Sequence, residues 1–139
     1  MIPDKVFKEL THNHKGFQKL FNGQELEPGY KPDYVLKSGN EYIILESESS
    51  SSRKTYVGGM VKAAYFFRNN KKGKLIFVIV PKKNTKVVSI ANHLKKYLNW
   101  LDKKTNLCEV YIIEANKYYN DGQLLALDCD EFFSCALKV

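Results

Sequence analysis

The chain has 139 residues, enough for one compact domain with a sizeable core and too few for two domains of ordinary size. Its 22 lysines and arginines outnumber 15 aspartates and glutamates, and the net charge of +7 favours an anionic partner such as nucleic acid, unless the lysines serve only solubility. The three cysteines form neither a disulfide framework nor a zinc motif, and no signal peptide or membrane span is evident, so we expect a cytoplasmic protein.

The first third of the chain predicts a helix and then a β-hairpin. Apolar residues at helical spacing favour an amphipathic helix over residues 3–20, although Gly16 interrupts it. A loop rich in Gly and Pro follows over residues 22–32. Two short strands, over residues 34–37 and 41–47, are joined at Gly39-Asn40, a dipeptide that favours tight hairpin turns.

The rest of the chain alternates helices with strands. The pattern predicts a helix over residues 55–69 despite Gly58 and Gly59, and an amphipathic helix over 87–101. The run KLIFVIV over residues 74–80 is apolar throughout, which is typical of a strand buried on both faces, and a further strand is predicted over 107–114. The tail has a short apolar stretch over 124–127 and a last helix or strand.

This order of elements predicts the fold class. A hairpin followed by strand-helix-strand favours an α/β fold with a mixed central sheet flanked by helices. Because residues 1–139 contain no repeat and no linker, we expect a single domain.

The hairpin carries three acids that its strand character does not explain. If Gly39 and Asn40 alone form the loop, Asp33 lies opposite Glu46, and Glu48 shares their face. A loop of three residues would break this arrangement. Neighbouring carboxylates repel unless a proton or a cation joins them, and Mg²⁺ suits such donors. The alternative is that these acids form surface ion pairs, with Lys31, Arg53 or Lys54 as the partners.

The acidic residues also resemble a family motif. Pro32-Asp33, a hairpin, and then Glu46-Ser47-Glu48 at the end of YIILESE resemble the PD-(D/E)xK nucleases over residues 6–80. The resemblance implies a restriction-endonuclease-like core that binds Mg²⁺, or Mn²⁺ in its place, through Asp33, Glu46 and the backbone carbonyl of Ser47.

The chain departs from the motif at its lysine, where Glu48 stands. Three interpretations remain open. Glu48 acts as a general base or holds a second ion; or a lysine of the following helix, Lys62 before Lys54, fills the role; or the site is inactive and the protein only binds. The family also predicts an additional acid from the first helix, for which Glu9 and Glu25 are the candidates.

Basic residues near predicted element ends complete the expected interface. Arg53, Lys54, Lys82 and Lys83 are candidate phosphate contacts, with a solvated surface as the alternative. No Gly-rich phosphate loop, HExxH or GxSxG motif occurs, so no nucleotide cofactor is expected. We therefore expect a homodimeric, Mg²⁺-dependent DNA endonuclease of restriction or junction-resolving type. The alternatives are an inactive DNA-binding or assembly subunit of nuclease fold, and a basic protein-interaction module.

Overall fold

The computed structural model of the protein describes residues 3–139. Its helices and strands, in chain order, are α1 (Asp4–Glu9), β1 (Gln18–Phe21), β2 (Tyr34–Ser38), β3 (Glu41–Glu48), α2 (Arg53–Phe66), β4 (Lys72–Ile79), α3 (Val87–Leu101), β5 (Leu107–Glu114), α4 (Ala115–Tyr118), β6 (Tyr119–Asn120), β7 (Gln123–Leu124), α5 (Asp130–Cys135) and β8 (Leu137–Lys138).

Six of the strands form one mixed sheet in the order β1-β2-β3-β4-β5-β8. Strands β1, β2 and β3 pair antiparallel, β3, β4 and β5 pair parallel, and β8 closes the far edge antiparallel to β5. Helices α2 and α3 make the two crossovers that parallel pairing requires. The predicted α/β class, with a hairpin plus strand-helix-strand in a sheet flanked by helices, is confirmed.

A hydrophobic core lies on each face of this sheet. Residues of α2 and α3 pack on one face, against side chains such as Ile44, Phe77 and Ile112. The other core joins Phe7 of α1 and Phe132 of α5 to the opposite side chains of the same strands. The central strand β4 is buried on both faces, which is why its sequence is continuously apolar rather than alternating.

Helix α2 approaches the sheet closely at Gly59. A Cβ atom at this position would come within 2.9 Å of the Phe77 ring, so glycine is needed for packing. The buried side of α2 includes Met60 and Ala64, whereas Val61 on the same helix is 49% exposed. Glycine at the contact therefore lets the buried side of the helix lie close against β4.

The predicted helix over residues 3–20 is wrong beyond its first turns. Helix α1 ends at Glu9, and Gln18–Phe21 forms the edge strand β1, paired with β2. The backbone leaves helical geometry at Leu10, and Gly16 takes a φ of +84° that residues other than glycine rarely adopt. Pairing with β2 therefore outweighs the helical spacing of the apolar residues. No helix within residues 3–139 combines the length and the apolar character needed to cross a membrane.

Candidate functional site

The hairpin between β2 and β3 has the predicted register. Ser38 pairs with Glu41 and Tyr34 with Leu45, so the loop consists of Gly39 and Asn40 alone. Just beyond the paired residues, the backbone N–H of Asp33 donates to Glu46 Oε1 at 2.9 Å. Asp33 thus lies beside Glu46, as a two-residue loop requires.

A second bond ties Asp33 to the end of β3. The backbone N–H of Ser47 donates to Asp33 Oδ2 at 2.7 Å, and the carbonyl of Glu48 accepts from the N–H of Val80 at 2.8 Å. Because successive residues of a strand direct their backbone groups to opposite edges, the carbonyl of Ser47 lies on the same edge of β3 as Asp33.

These residues line an open cleft of about 560 Å³ at the carboxyl ends of β3 and β4. Its walls are formed by Pro3, Asp4, Lys31, Asp33, Glu46, Ser47, Glu48, Ser49 and Val80. Four of the nine carry carboxylates, and only Lys31 carries a positive charge. The structure therefore brings together the three acids of the sequence motif and adds Asp4 from α1. Neither Glu9 nor Glu25, the acids expected from the start of the chain, lines the cleft.

The acids in the cleft have raised pKa values. Burial, reinforced by the charges of Asp33 and Glu48, raises the pKa of Glu46 to about 8, against an opposing effect of Lys62. Burial also raises the pKa of Asp33, although the hydrogen bond from Ser47 and the charge of Lys8 act in the other direction. The pKa of Glu48 is raised by burial and then by the charges of Asp33 and Asp4. The cleft therefore favours the uptake of positive charge.

The cation that pairs with the cleft is Lys8. Its Nζ lies 3.7 Å from Asp33 Oδ1 and 3.8 Å from Asp4 Oδ2. Within residues 3–139, none of the three partners considered from sequence, Lys31, Arg53 and Lys54, makes an ion pair with these acids. One ammonium group thus faces several carboxylates.

A buried hydroxyl group lies close to the same acids. Tyr30 is 5% exposed, and within the described residues its hydroxyl is the only buried side-chain N or O atom without a hydrogen-bond partner. Its pKa is raised by burial and then by the charge of Glu46, with smaller effects of Glu27 and Asp33. A buried polar atom without a partner is costly, and such atoms often mark a position completed by a ligand or water.

The basic residues predicted to contact nucleic acid lie at the same end of the sheet. Arg53, the first residue of α2, donates to Ser89 Oγ in the first turn of α3, so the N-terminal ends of these helices lie side by side. Lys54 is exposed beside it, and Lys82 and Lys83 are exposed just after Val80, which lines the cleft. Basic groups thus flank the acids.

Lys62 is exposed on α2 and makes no ion pair within the described part of the chain. It influences the cleft only through its charge, which lowers the pKa of Glu46.

Sequence reasoning missed Asp4, Lys8 and Tyr30, because none of them belongs to a motif and all three reach the acids through tertiary packing.

The donors suit a hard divalent cation. No group of three or more His, Cys, Asp or Glu side chains within residues 3–139 converges as a complete metal site. Mg²⁺, however, needs only one or two protein carboxylates because it keeps most of its water. Asp33 and Glu46, with the carbonyl of Ser47 on the same edge, match that requirement. The excess of negative charge and the unpartnered hydroxyl of Tyr30 agree with such an occupant.

The fold and the cleft together define a mixed α/β protein with an acidic site at one end of its sheet. No family model matches the chain, and no curated protein does. Among solved structures, SfsA of Pyrococcus furiosus in complex with Ca²⁺ is similar at a TM-score of 0.39 and 11% sequence identity, over 72% of this chain and 49% of SfsA. The chain thus spans about half the length of SfsA.

Proposed function

We propose that the protein is a metal-dependent DNA endonuclease of the PD-(D/E)xK type, with a restriction or junction-resolving role. The observation that carries the proposal is that Asp33, Glu46 and Glu48 line one cleft with too little positive charge to balance them. In a protein of net charge +7, an acidic cleft flanked by basic residues combines a site for a cation with a surface for a polyanion.

Asp33, Glu46 and the carbonyl of Ser47 would hold Mg²⁺, or Mn²⁺ in its place. The bound ion would supply Lewis-acid activation of the phosphodiester and of the attacking water. The hydrogen bond from Ser47 to Asp33 and the bond from Asp33 to Glu46 hold both carboxylates at the end of the hairpin before any ion arrives. This preorganisation lowers the cost of assembling the site.

Glu48 is the candidate general base. In the hydrolysis, the oxygen of water forms a new bond to phosphorus, and the bond from phosphorus to the leaving oxygen breaks. The proton of the water passes to the Glu48 carboxylate, and the leaving oxygen takes a proton from solvent. Burial and the charges of Asp33 and Asp4 raise the pKa of Glu48 above its ordinary value, which makes it a stronger base than an exposed glutamate. Lys62, the other candidate of the motif, makes no ion pair within the described residues and would act on the site through its charge, which lowers the pKa of Glu46.

The basic groups beside the cleft would bind the DNA backbone. Arg53 and Lys54 at the start of α2, and Lys82 and Lys83 after β4, would contact phosphates on either side of the cut. Cutting both strands of a duplex or junction requires two active sites, so we propose a homodimer in which each protomer, a single domain, carries one site.

A second candidate function is a DNA-binding or assembly subunit of nuclease fold without activity. The observation that favours it is Glu48 at the position of the motif lysine, together with the lack of any contact between Lys62 and the acids among the described residues.

The test is cleavage of supercoiled plasmid and of a four-way junction with Mg²⁺ or Mn²⁺. Wild-type protein should cut in a metal-dependent manner, and Asp33→Ala should not. Asp102→Asn, a change to an exposed acid at the end of α3, should cut like wild type. DNA binding without cutting by wild type would favour the inactive subunit, and neither binding nor cutting would exclude both functions.

A further inference from the structure

We infer that Lys8, on the first helix, supplies the ammonium group that the PD-(D/E)xK pattern places at position 48, where this chain has glutamate. The inference rests on the proposed nuclease function. Its starting point is the position of Nζ, 3.7 Å from Oδ1 of Asp33, the oxygen that does not accept from Ser47. Of the lysines considered for this role, Lys8 alone contacts a carboxylate of the cleft within the described residues.

The side chain of Lys8 is half-buried and packs beside Gly23. A Cβ atom at Gly23 would be 3.4 Å from both Cδ and Cε of Lys8 and 3.5 Å from its Nζ, so the outer part of the lysine chain lies directly beside this glycine. Gly23 has a φ of +112°, which favours glycine there for its backbone as well. The neighbouring Asn22 donates from Nδ2 to the carbonyl of Lys8 at 3.1 Å. Lys8 is thus held at its backbone by Asn22 and at its ammonium group by Asp33.

The helix that carries Lys8 is anchored from the other side. Phe7 is fully buried, and its carbonyl accepts a hydrogen bond from His12 Nε2 at 2.7 Å. Since a carbonyl only accepts, Nε2 carries the proton, and His12 Nδ1 accepts from the Tyr118 hydroxyl at 2.6 Å. Burial lowers the pKa of His12 to about 4, so the ring stays neutral and this tautomer persists at neutral pH. The residue just before Lys8 is thus held rigidly.

Among the described residues, the other candidate lysines are neither half-buried nor paired with an acid of the cleft. Lys62 and Lys54 are exposed on α2, and within residues 3–139 neither makes an ion pair with an acid of the cleft. A long exposed side chain loses rotamer entropy whenever it is drawn to one position, whereas Lys8 is half-buried and is already paired with Asp33. This difference in preorganisation favours Lys8.

An ammonium group at this position has a defined task. It lies beside Asp33, at the acidic end of the cleft, where the phosphate to be cut would be bound. There Lys8 would donate a hydrogen bond to a non-bridging phosphate oxygen and offset the negative charge that develops on it during attack by water. Its positive charge also opposes binding of a cation at Asp33. Removal of a catalytic Lys8 should therefore slow cleavage without weakening metal binding, whereas removal of a merely structural Lys8 should weaken both.

The test compares Lys8→Met with Lys5→Met, a change to an exposed lysine of the same helix. For each variant we would measure single-turnover cleavage of the preferred DNA, binding of Mn²⁺ by calorimetry, and the melting temperature. Lys8→Met should slow cleavage on the order of 100-fold, as loss of a donor to a developing charge does. It should bind Mn²⁺ as tightly as wild type or more tightly, and Lys8→Arg should recover part of the rate. Lys5→Met should stay within about twofold of wild type in rate and in Mn²⁺ affinity.

Three results would overturn the role of Lys8 while leaving the nuclease function in place. The first is equal cleavage by Lys8→Met and Lys5→Met. The second is loss of both Mn²⁺ binding and cleavage in Lys8→Met, because that would make the lysine a support of the site. The third is loss of cleavage in Lys62→Met with full activity in Lys8→Met. Absence of cleavage by wild-type protein with every divalent ion would instead overturn the nuclease function itself, and the inference with it.

Discussion

Carboxylates at the two ends of the central sheet differ in their ion pairs and in the direction of their pKa shifts. At the amino end of the parallel strands, Glu41 pairs with Lys72 at 3.3 Å and Glu109 pairs with Lys138 at 3.0 Å. Glu109 also accepts from the Tyr111 hydroxyl at 3.0 Å. Burial alone would raise the pKa of Glu109, but the bonds from Lys138 and Tyr111 outweigh it and the pKa is lowered.

At the carboxyl end of the parallel strands, burial outweighs the effect of positive charges on the pKa values. Asp33, Glu46 and Glu48 lie together, Lys8 pairs with Asp33 alone of the three, and the pKa of each acid is raised. The two acids at the amino end each have their own cation, whereas Glu46 and Glu48 make no ion pair within the described residues. Clusters with perturbed pKa values in clefts are typical of functional sites, so the contrast within one sheet supports the site proposed at the carboxyl end.

The largest expected effect is a difference in DNA cleavage between variants at the two ends of the sheet. Asp33→Asn should reduce metal-dependent DNA cleavage more than about 100-fold, since loss of a direct ligand exceeds the loss usually caused by its outer partners. Glu109→Gln, at the amino end, should leave the rate within about twofold of wild type. Parallel plasmid assays measure both. Equal losses in the two variants would show that the contrast between the ends has no bearing on catalysis.

The second effect concerns stability and pH without divalent ions. The folded-state pKa of Glu46, about 8, lies above its ordinary value of 4.5, so the stability it contributes is present below pH 4.5 and is lost as pH rises to about 8. Glu46→Gln should remove this loss and make the metal-free protein more stable at pH 8, by about 1–3 kcal/mol. Urea unfolding at pH 5 and pH 8 measures the change.

Glu109 provides the matched control for that experiment. Its folded-state pKa is lowered, so its contribution to stability is present above its unfolded-state pKa and is lost as pH falls. Glu109→Gln should therefore destabilise the protein at pH 8, opposite in sign to Glu46→Gln. Changes of the same sign would contradict the electrostatic difference between the ends. Mg²⁺ should raise the stability of wild type at pH 8 and do so less for Glu46→Gln.

Tyrosine hydroxyl groups near the acids at the two ends allow a second comparison of stability, with a smaller expected effect. Tyr30→Phe removes a buried hydroxyl without a partner, whereas Tyr111→Phe removes one that donates to Glu109. Without metal, Tyr30→Phe should stabilise the protein by about 1 kcal/mol, and Tyr111→Phe should destabilise it by about 1 kcal/mol. Thermal unfolding checks both. Destabilisation by Tyr30→Phe would mean that its hydroxyl has a partner in solution.

The smallest expected effect is on binding of DNA. Replacing Lys82 and Lys83 together with glutamine should weaken binding to any sequence and reduce the slope of log affinity against log salt by about 2. The control is the pair Lys103 and Lys104, exposed before β5 at the other end of the sheet, whose replacement should leave the slope unchanged. Fluorescence anisotropy over a range of salt concentrations measures it. Equal slopes for both double variants would show that the lysines beside the cleft contribute no more to DNA binding than those at the other end of the sheet.

The sequence by itself determined the local parts of this protein. The Gly39-Asn40 turn and the alternation along its strands set the register that places Asp33 beside Glu46, because a period of two leaves one pairing that buries the apolar face. The bounds of α3 and β5 were predicted to the residue, since each pattern is complete within its own segment. The continuously apolar β4 likewise indicated its central position in the sheet.

Only the tertiary structure decided the remainder of the site. Helix α1 stops at Glu9 because the chain turns back through His12 to pair β1 with β2, a long-range choice that helical spacing does not encode. That turn is what brings Lys8 to Asp33, while Tyr30 reaches Glu46 from a loop without a motif. Residues near in sequence are constrained by backbone geometry, but contacts between distant segments depend on how both cores pack, so the acids were predictable and the cation beside them was not.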